Sequence, residues 1–150
     1  MFWDSEGMIL THCIPKSTTV MGQTYEDVLQ TKFLPALREK RPEKVAAVFL
    51  PHDNTPPHRA ARVHQFFDDN NFEVVPHAPY SPDLAPSDFR LFPTLKDTLR
   101  GRIFSSRSAL ATAIFQWSQR TPKEVFAAAM QSWRQRCEKC VRLQGDYVEK

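Results

Sequence analysis

Glycine and cysteine are scarce in this sequence of 150 residues, and both shortages narrow what the protein can be. Four glycines leave little room for a glycine-rich phosphate-binding loop, and the chain has no internal repeats or low-complexity tracts. Three cysteines are an odd number in a chain long enough to fold without covalent cross-links. We therefore expect reduced thiols at Cys13, Cys137 and Cys140 rather than a secreted disulfide framework.

Long hydrophobic runs are also lacking. None approaches the roughly 20 residues that a membrane-spanning helix needs, and no basic segment with a following apolar stretch opens the chain. We therefore expect an intracellular protein with no membrane partner. Charge is nearly balanced, with 20 basic and 17 acidic residues and a net charge of +3, so the composition permits a polyanionic partner without arguing for one.

The first half of the chain predicts a hairpin, a helix and a βαβ unit. Apolar stretches flank the turn-forming residues Asp4 to Gly7, which indicates a β-hairpin of Met1–Trp3 and Met8–Ile14. A helical period begins at Thr24, and the interior Pro35 predicts a kink or a break in that helix.

The apolar run Val45–Leu50 is typical of a strand buried on both faces. A helix is predicted to open at Pro56 and Pro57 and to carry Ala60, Val63, Phe66 and Phe67 on one face. A second strand, Phe72–Val75, follows. Strand, helix and strand with short links predict parallel pairing with a right-handed crossover.

Three helices are predicted after the proline-rich loop 76–86. The first turns Phe89, Phe92, Leu95 and Leu99 inward, and the second spans Ser108–Arg120. The third opens with a capping box at Thr121 and Glu124, with Pro122 at the first helical position, and ends near Gly145. The predicted fold class is therefore α/β, a mixed sheet flanked by helices.

Two carboxylates follow the predicted parallel strands. Asp53 comes just past the first strand and Asp88 stands at the mouth of the helix that follows the second. Because the carboxyl ends of parallel strands lie at one edge of a sheet, these acids are placed where α/β domains usually do chemistry. Carboxylates that converge there are natural ligands for Mg²⁺ or Mn²⁺.

The blocks that contain the two acids resemble the signature blocks of mariner-type DNA transposases. The first block runs from His52 to Ala60 and the second from Pro76 to Phe89, with Pro-Tyr-Ser-Pro-Asp-Leu-Ala-Pro inside it. Thirty-four residues separate Asp53 from Asp88, which matches the spacing of the mariner group with three aspartates. Further agreement with the closing family pattern comes from Trp133, Cys140, Gly145 and Tyr147.

The resemblance implies an RNase H-like fold of the DDE superfamily of endonucleases. It implies Asp53 and Asp88 as the second and third metal ligands, with Mg²⁺ or Mn²⁺ as the cofactor. The implied partner is DNA at transposon ends in the nucleus, with a homodimer left open and no small-molecule substrate. Asp83 competes for the third position but fits better as a turn or cap residue. For His52 and His58, support of the site, DNA contact and a plain structural role stay open.

The sequence also departs from the family pattern. The strand with the first catalytic aspartate, which is central in the RNase H-like sheet, precedes the hairpin in family members and is absent here, as are the helix-turn-helix modules. We therefore expect residues 1–150 to be a partial catalytic domain, truncated at its amino terminus and inactive alone. The large apolar residues Met1, Phe2 and Trp3 fit a start inside an element, although a short first strand is the alternative.

Two further motifs have competing interpretations. Cys137 and Cys140 could suggest zinc or redox chemistry, but both fall on the apolar stripe of the last helix and no second ligand pair exists, which favours small buried hydrophobes.

Basic residues occur in the last predicted helix and around the loop before the predicted helix Ser108–Arg120. The default expectation is that they form a face exposed to solvent. They also support an alternative function, that of a non-catalytic DNA-binding or self-associating remnant. A generic RNase H-like nuclease would share the two acids but would not predict the second signature block. These basic residues are Arg100, Arg102, Arg107, Arg134, Arg136, Lys139 and Arg142.

Overall fold

The structure is a computed structural model in which residues 1–149 are described. Four short strands and six α-helices are present within those residues, with two π-helical and two 3-10 segments between them. The strands are β1 Phe2–Asp4, β2 Gly7–Leu10, β3 Val48–Pro51 and β4 Phe72–Val75. The helices are α1 Gly22–Val28, α2 Leu34–Lys40, α3 Ala61–Asp69, α4 Phe92–Leu99, α5 Arg107–Arg120 and α6 Lys123–Arg142. None of these helices is long and apolar enough to cross a membrane.

The chain divides into two compact units. The first contains Met1, Trp3–Thr11 and the chain from Tyr80 onward, and the second contains Phe2 and His12–Pro79. The strands form two separate two-stranded sheets, β1 with β2 and β3 with β4.

The first unit is built on the hairpin and the three carboxy-terminal helices. The Asp4 Oδ1 atom accepts a hydrogen bond of 2.9 Å from the Glu6 backbone N–H, and Gly7 has a φ of +130°, which side chains rarely allow. The hairpin is thus confirmed, although β2 ends at Leu10 rather than at Ile14. Burial of large apolar side chains, each contributing about 1.5–3 kcal/mol, holds the helices in this unit. The buried cluster consists of Met8, Leu91, Leu95, Trp117 and Phe126.

The second unit packs its helices on the parallel pair of β3 and β4, which confirms the predicted βαβ unit. Phe33, Phe66 and Phe67 surround the buried Phe72 with ring centroids 6.2, 5.9 and 6.4 Å from its own. Gly22 lets α1 approach the residue before α3, because a Cβ atom there would lie 2.4 Å from the Ala60 Cβ.

β3 differs from the strand predicted at Val45–Leu50. Residues 45–47 form a turn, and the strand occupies Val48–Pro51. The prediction of burial on both faces is wrong, because Phe49 is 64% exposed. Within residues 1–149, β3 has one partner strand, β4. The apolar pattern alone does not reveal how many neighbouring strands a strand has.

Pro35 does not break its helix. A π-helical turn, Leu29–Phe33, joins α1 to α2, and Pro35 is the second residue of α2. The same arrangement recurs at Pro93, which follows the π-helical turn Ser87–Leu91 as the second residue of α4. A wider turn before each proline accommodates its ring and its missing N–H, so the helical path continues.

Two predicted helix starts are wrong. Thr55–Arg59 forms turns and α3 begins only at Ala61. The capping box at α6 does not form, because the Thr121 hydroxyl donates a hydrogen bond of 2.7 Å to the Trp117 carbonyl at the end of α5. Pro122 is consequently the residue before α6 rather than its first residue. The predicted limits of α5 are confirmed to within one residue.

Candidate functional site

Asp53 lies two residues beyond β3, and three donors converge on one of its carboxylate oxygens. Oδ1 accepts hydrogen bonds from the Thr55 backbone N–H at 3.2 Å, from the Thr55 hydroxyl at 2.8 Å and from His58 Nδ1 at 2.5 Å. Oδ2 has no such donor among the described residues, and the side chain is 54% exposed. The carboxylate is therefore held in one orientation with an oxygen free for a further ligand.

The surroundings of Asp53 favour its ionised form. Desolvation raises the pKa of the carboxyl, but the hydrogen bonds from Thr55 and the attraction of His58 outweigh it and lower the pKa below its ordinary value. Asp53 is thus a carboxylate at neutral pH. An ionised carboxylate with a free oxygen has the donor chemistry that Mg²⁺ and Mn²⁺ require.

An aromatic stack holds the donor His58. The rings of His52 and His58 are parallel within 4° and their centroids are 4.1 Å apart. Tyr25 packs against His58 with ring centroids 4.5 Å apart, and its hydroxyl lies 2.6 Å from His52 Nε2. The other side of His52 faces the ring of the buried Phe67 at 5.2 Å. His58 is therefore held by Tyr25 of α1 and by His52, which itself packs against Phe67 of α3.

Burial sets the protonation states in this stack. Desolvation first, and then the neighbouring His58, lower the pKa of His52 to about 4. Desolvation first, and then the Asp53 charge, raise the pKa of Tyr25. We therefore assign a neutral His52 that accepts a hydrogen bond at Nε2 from a protonated Tyr25 hydroxyl. The sequence left the roles of His52 and His58 open, and the structure places His58 on Asp53 and His52 behind it.

Sequence reasoning missed the contributions of Tyr25, Asn54 and Thr55. Asn54 Nδ2 donates a hydrogen bond of 3.1 Å to the His77 carbonyl and so ties the loop after β3 to the loop after β4. Both Asn54 and Thr55 stand inside the first signature block, so their position next to Asp53 was the available signal. Tyr25 carried no signal, because it lies 27 residues before His52 and fits a helical apolar stripe equally well.

Asp88 lies in the first unit, as the second residue of the π-helical turn Ser87–Leu91. Its side chain is exposed, whereas its backbone N–H donates a hydrogen bond of 2.9 Å to the Ala85 carbonyl. Ser87 accepts a hydrogen bond of 3.0 Å from Trp3 Nε1, and the Phe89 ring lies 4.1 Å from the Arg136 guanidinium carbon. Both chain neighbours of Asp88 are thus held by distant residues, and its carboxylate is left open to solvent.

Asp53 belongs to the second unit, whereas Asp88 belongs to the first. Within residues 1–149, no three or more His, Cys, Asp or Glu side chains form a group that could hold a metal ion. The donor chemistry at each aspartate fits a hard cation, and the described residues do not complete a three-ligand site.

Asp83 has a different environment from those of Asp53 and Asp88. It is 6% exposed within the 3-10 turn Pro82–Leu84, and its Oδ2 accepts a hydrogen bond of 2.9 Å from the Val148 backbone N–H. The expectation of a turn or cap residue is confirmed for the turn, and the carboxylate also anchors the carboxy-terminal segment. A buried and engaged side chain is unsuited to replace Asp88 as a metal ligand.

The cysteines of α6 are both free and partly buried. Desolvation first, and then the neighbouring Cys140 and Glu138, raise the pKa of the Cys137 thiol, which disfavours the reactive thiolate. Their predicted burial is only partial, because α6 is long and its second half is more exposed than its first.

The basic residues of α6 do not all face solvent. Arg134 is exposed and pairs with Glu138. Arg136 instead stacks on Phe89 and donates hydrogen bonds to the Asp83 carbonyl and to Glu149, and Lys139 donates one to the Val148 carbonyl. The default prediction of a solvated face is therefore wrong for Arg136 and Lys139. Their positions off the apolar stripe gave no hint of contacts made by the charged ends.

Comparisons with known proteins match this architecture. Residues 1–47 match the family described as transposase (partial DDE domain). The chain is 35% identical over 153 aligned residues to the mariner Mos1 transposase of Drosophila mauritiana, covering 99% of this chain and 44% of that protein. It is 27% identical to the histone-lysine N-methyltransferase SETMAR of Homo sapiens, covering 99% of this chain and 22% of that protein. The chain thus spans less than half the length of either relative.

Solved structures give the same result. The Mos1 transposase catalytic domain with raltegravir and Mg matches with a TM-score of 0.91 and 34% identity, over 97% of this chain and 74% of that one. The Mos1 mariner paired-end complex with Mn matches with a TM-score of 0.91 and 35% identity, over 97% of this chain and 43% of that one. These matches confirm the predicted RNase H-like α/β fold.

Proposed function

The chain belongs to the mariner family of transposases, and we propose that it supplies the second and third metal-binding aspartates, Asp53 and Asp88, of a catalytic domain that cuts and rejoins DNA at transposon ends. The observation that carries this proposal is the state of Asp53. Its carboxylate is ionised, oriented by three hydrogen bonds to Oδ1 and open at Oδ2. A side chain with only a turn-forming role would not need the additional His58 donor.

The metal would be Mg²⁺ or Mn²⁺, the ions named for solved Mos1 structures. Two such ions activate an attacking water or hydroxyl and stabilise the leaving oxygen of a phosphodiester. The contribution of this chain is orientation. His58 and Thr55 fix the Asp53 carboxylate, while Trp3 and Arg136 fix the chain on either side of Asp88.

We infer that residues 1–150 do not catalyse transposition on their own. The family resemblance assigns only two of three acids to them, and two carboxylates give a hard cation weaker coordination than three. Recognition of transposon ends by helix-turn-helix modules is likewise not assigned to these residues. DNA is the proposed partner and the nucleus is the proposed location, because the chain belongs to a family of DNA transposases.

The alternative is a non-catalytic DNA-binding remnant, and the engagement of Arg136 and Lys139 within the first unit weakens it. Salt-sensitive DNA binding needs cations free to meet phosphates. Arg134 and Arg142 on α6 remain exposed, as do Arg100, Arg102 and Arg107 between α4 and the start of α5, so the alternative keeps five of its seven cations.

A thermal unfolding experiment separates the two functions. Mn²⁺ is titrated into the protein and into the variants Asp53→Ala and Asp88→Ala. Asp97→Ala is the matched control, because Asp97 is exposed and pairs with Arg100. A ligand at 100 times its Kd stabilises a fold by about 2.7 kcal/mol. We expect Mn²⁺ to raise the Tm of the unaltered protein and of Asp97→Ala only. Stabilisation by DNA but not by Mn²⁺ would support the alternative instead.

A further inference from the structure

Arg136 occupies a central position among the contacts around Asp88. Its guanidinium carbon lies 4.1 Å from the centroid of the Phe89 ring, one residue after Asp88. The same group donates hydrogen bonds of 3.0 Å to the Asp83 carbonyl and of 2.9 Å to Glu149 Oε1. One side chain from α6 therefore contacts the loop before Asp88, the residue that follows Asp88 and the carboxy-terminal segment.

The carboxy-terminal segment 146–149 also contacts the loop before Asp88. The Val148 backbone N–H donates to the buried Asp83 Oδ2 at 2.9 Å, and the Val148 side chain is 5% exposed. The Tyr147 hydroxyl donates to the Tyr80 carbonyl at 3.3 Å. Lys139 Nζ donates to the Val148 carbonyl at 2.5 Å, so α6 anchors this segment in turn.

The loop itself has little regular structure of its own. Residues 80–86 contain one 3-10 turn, and Tyr80 has a φ of +54°, which is costly for a residue with a side chain. A segment of this kind keeps one conformation only when its surroundings determine it. The contacts from Arg136 and from residues 146–149 are the surroundings that the first unit provides.

We propose that Arg136, acting with the segment 146–149, is a positioning residue for Asp88. Arg136 touches no metal ligand directly; it fixes the backbone that carries the ligand, through Phe89 on one side and Asp83 on the other. The planar guanidinium is essential to this role, because one face covers the Phe89 ring while its N–H groups donate within the guanidinium plane. Lysine has the charge but not this geometry. The role of Asp88 as a ligand rests on the proposed function, whereas the positioning of its backbone does not.

The variant Arg136→Lys tests the proposal, and Arg134→Lys is the matched control. Arg134 lies two residues away on α6, is exposed and pairs with Glu138. Amide hydrogen exchange is followed by NMR in both variants, at the Asp88 and Phe89 amides, which donate to the Ala85 carbonyl at 2.9 and 3.0 Å. We expect Arg136→Lys to accelerate exchange at these two amides by roughly tenfold, with α5 unchanged, and Arg134→Lys to alter neither.

A uniform acceleration throughout α5 and the loop, or no acceleration at all, would overturn the proposal. If Arg136→Lys does not fold, Phe89→Leu removes the same stacking contact from the other side and has the same expected and contradicting results. Mn²⁺ affinity is measured in parallel, and a loss of roughly 10- to 100-fold in Arg136→Lys is expected for a group that supports a ligand. Failure of the unaltered protein to bind Mn²⁺ would contradict the proposed function, while the exchange rates would still decide the role of Arg136.

Discussion

Trp3 and Ser87 are joined by a hydrogen bond of 3.0 Å from the indole Nε1 to the hydroxyl, across 84 positions of the chain. Trp3 also packs on the buried Phe126, with ring centroids 5.7 Å apart. The hairpin therefore fixes the residue that precedes Asp88 while it takes part in the core of the first unit. A single side chain links the core to the candidate site.

This link predicts a measurable coupling between the two residues. Trp3→Phe and Ser87→Ala each remove the hydrogen bond, and each should lower the free energy of unfolding by about 1 kcal/mol or more, with Trp3→Phe costlier because packing is also lost. The double variant should be less destabilised than the sum of the two, in a cycle measured by urea unfolding. Additive effects would show that the hydrogen bond contributes nothing.

His58 should control the acidity of Asp53. His58→Ala removes a hydrogen bond and a favourable charge interaction, so the pKa of Asp53 should rise toward its ordinary value. The measurement is a pH titration of the side-chain carboxyl carbon by NMR. His64→Ala is the control, since His64 is exposed on α3 and makes no contact with Asp53. An Asp53 pKa that stays unchanged in His58→Ala would contradict the assigned role.

The stability of the metal-free protein should fall as the pH drops below 6.5. The pKa of His52 is lowered to about 4 in the folded state, so between those values the unfolded chain binds a proton that the folded chain does not. The stabilisation is fully present above the unfolded pKa of about 6.5 and is lost toward pH 4. We expect His52 to contribute on the order of 1 kcal/mol, since the ring is only partly buried.

The check is urea unfolding at several pH values between 7 and 4 for the unaltered protein and for His52→Phe. The variant should have a weaker pH dependence over this interval, because phenylalanine keeps the stack but does not titrate. Equal slopes in the two proteins would assign the pH dependence to other groups.

The 150 residues alone should not nick DNA. A supercoiled plasmid incubated with the protein and Mg²⁺ or Mn²⁺ should remain supercoiled, because only two of the three family acids are assigned to this chain. Metal-dependent nicking that Asp53→Ala abolishes would show that two acids suffice. Nicking that persists in Asp53→Ala would indicate a contaminating nuclease.

Sequence patterns predicted the elements whose signal is local. The strand Phe72–Val75, the buried face of α3 and the limits of α5 followed from periodicity and capping. The identity of the fold came from a different signal, the two blocks around Asp53 and Asp88, since the pattern of predicted strands and helices indicates no more than an α/β domain.

The wrong predictions concern features that depend on contacts between residues far apart along the chain or on competing hydrogen-bond partners. Phe49 belongs to an apolar run, yet its exposure depends on which strands flank β3. Thr121 has a capping sequence, but the Trp117 carbonyl competes for its hydroxyl. Arg136 looks like a surface cation and becomes a structural contact only because Phe89, Asp83 and Glu149 meet it in space. None of these partners can be identified from spacing along the chain.

The central proposal is that Asp53 and Asp88 both serve as ligands for divalent metal. It is tested most directly by the Mn²⁺ dissociation constant, measured by electron paramagnetic resonance for the unaltered protein, Asp53→Asn, Asp88→Asn and the double variant. If both carboxylates are ligands, each single variant should weaken Mn²⁺ binding by roughly tenfold or more, and the double variant should bind no more tightly than either single variant. Mn²⁺ binding that either substitution leaves unchanged would contradict the proposal.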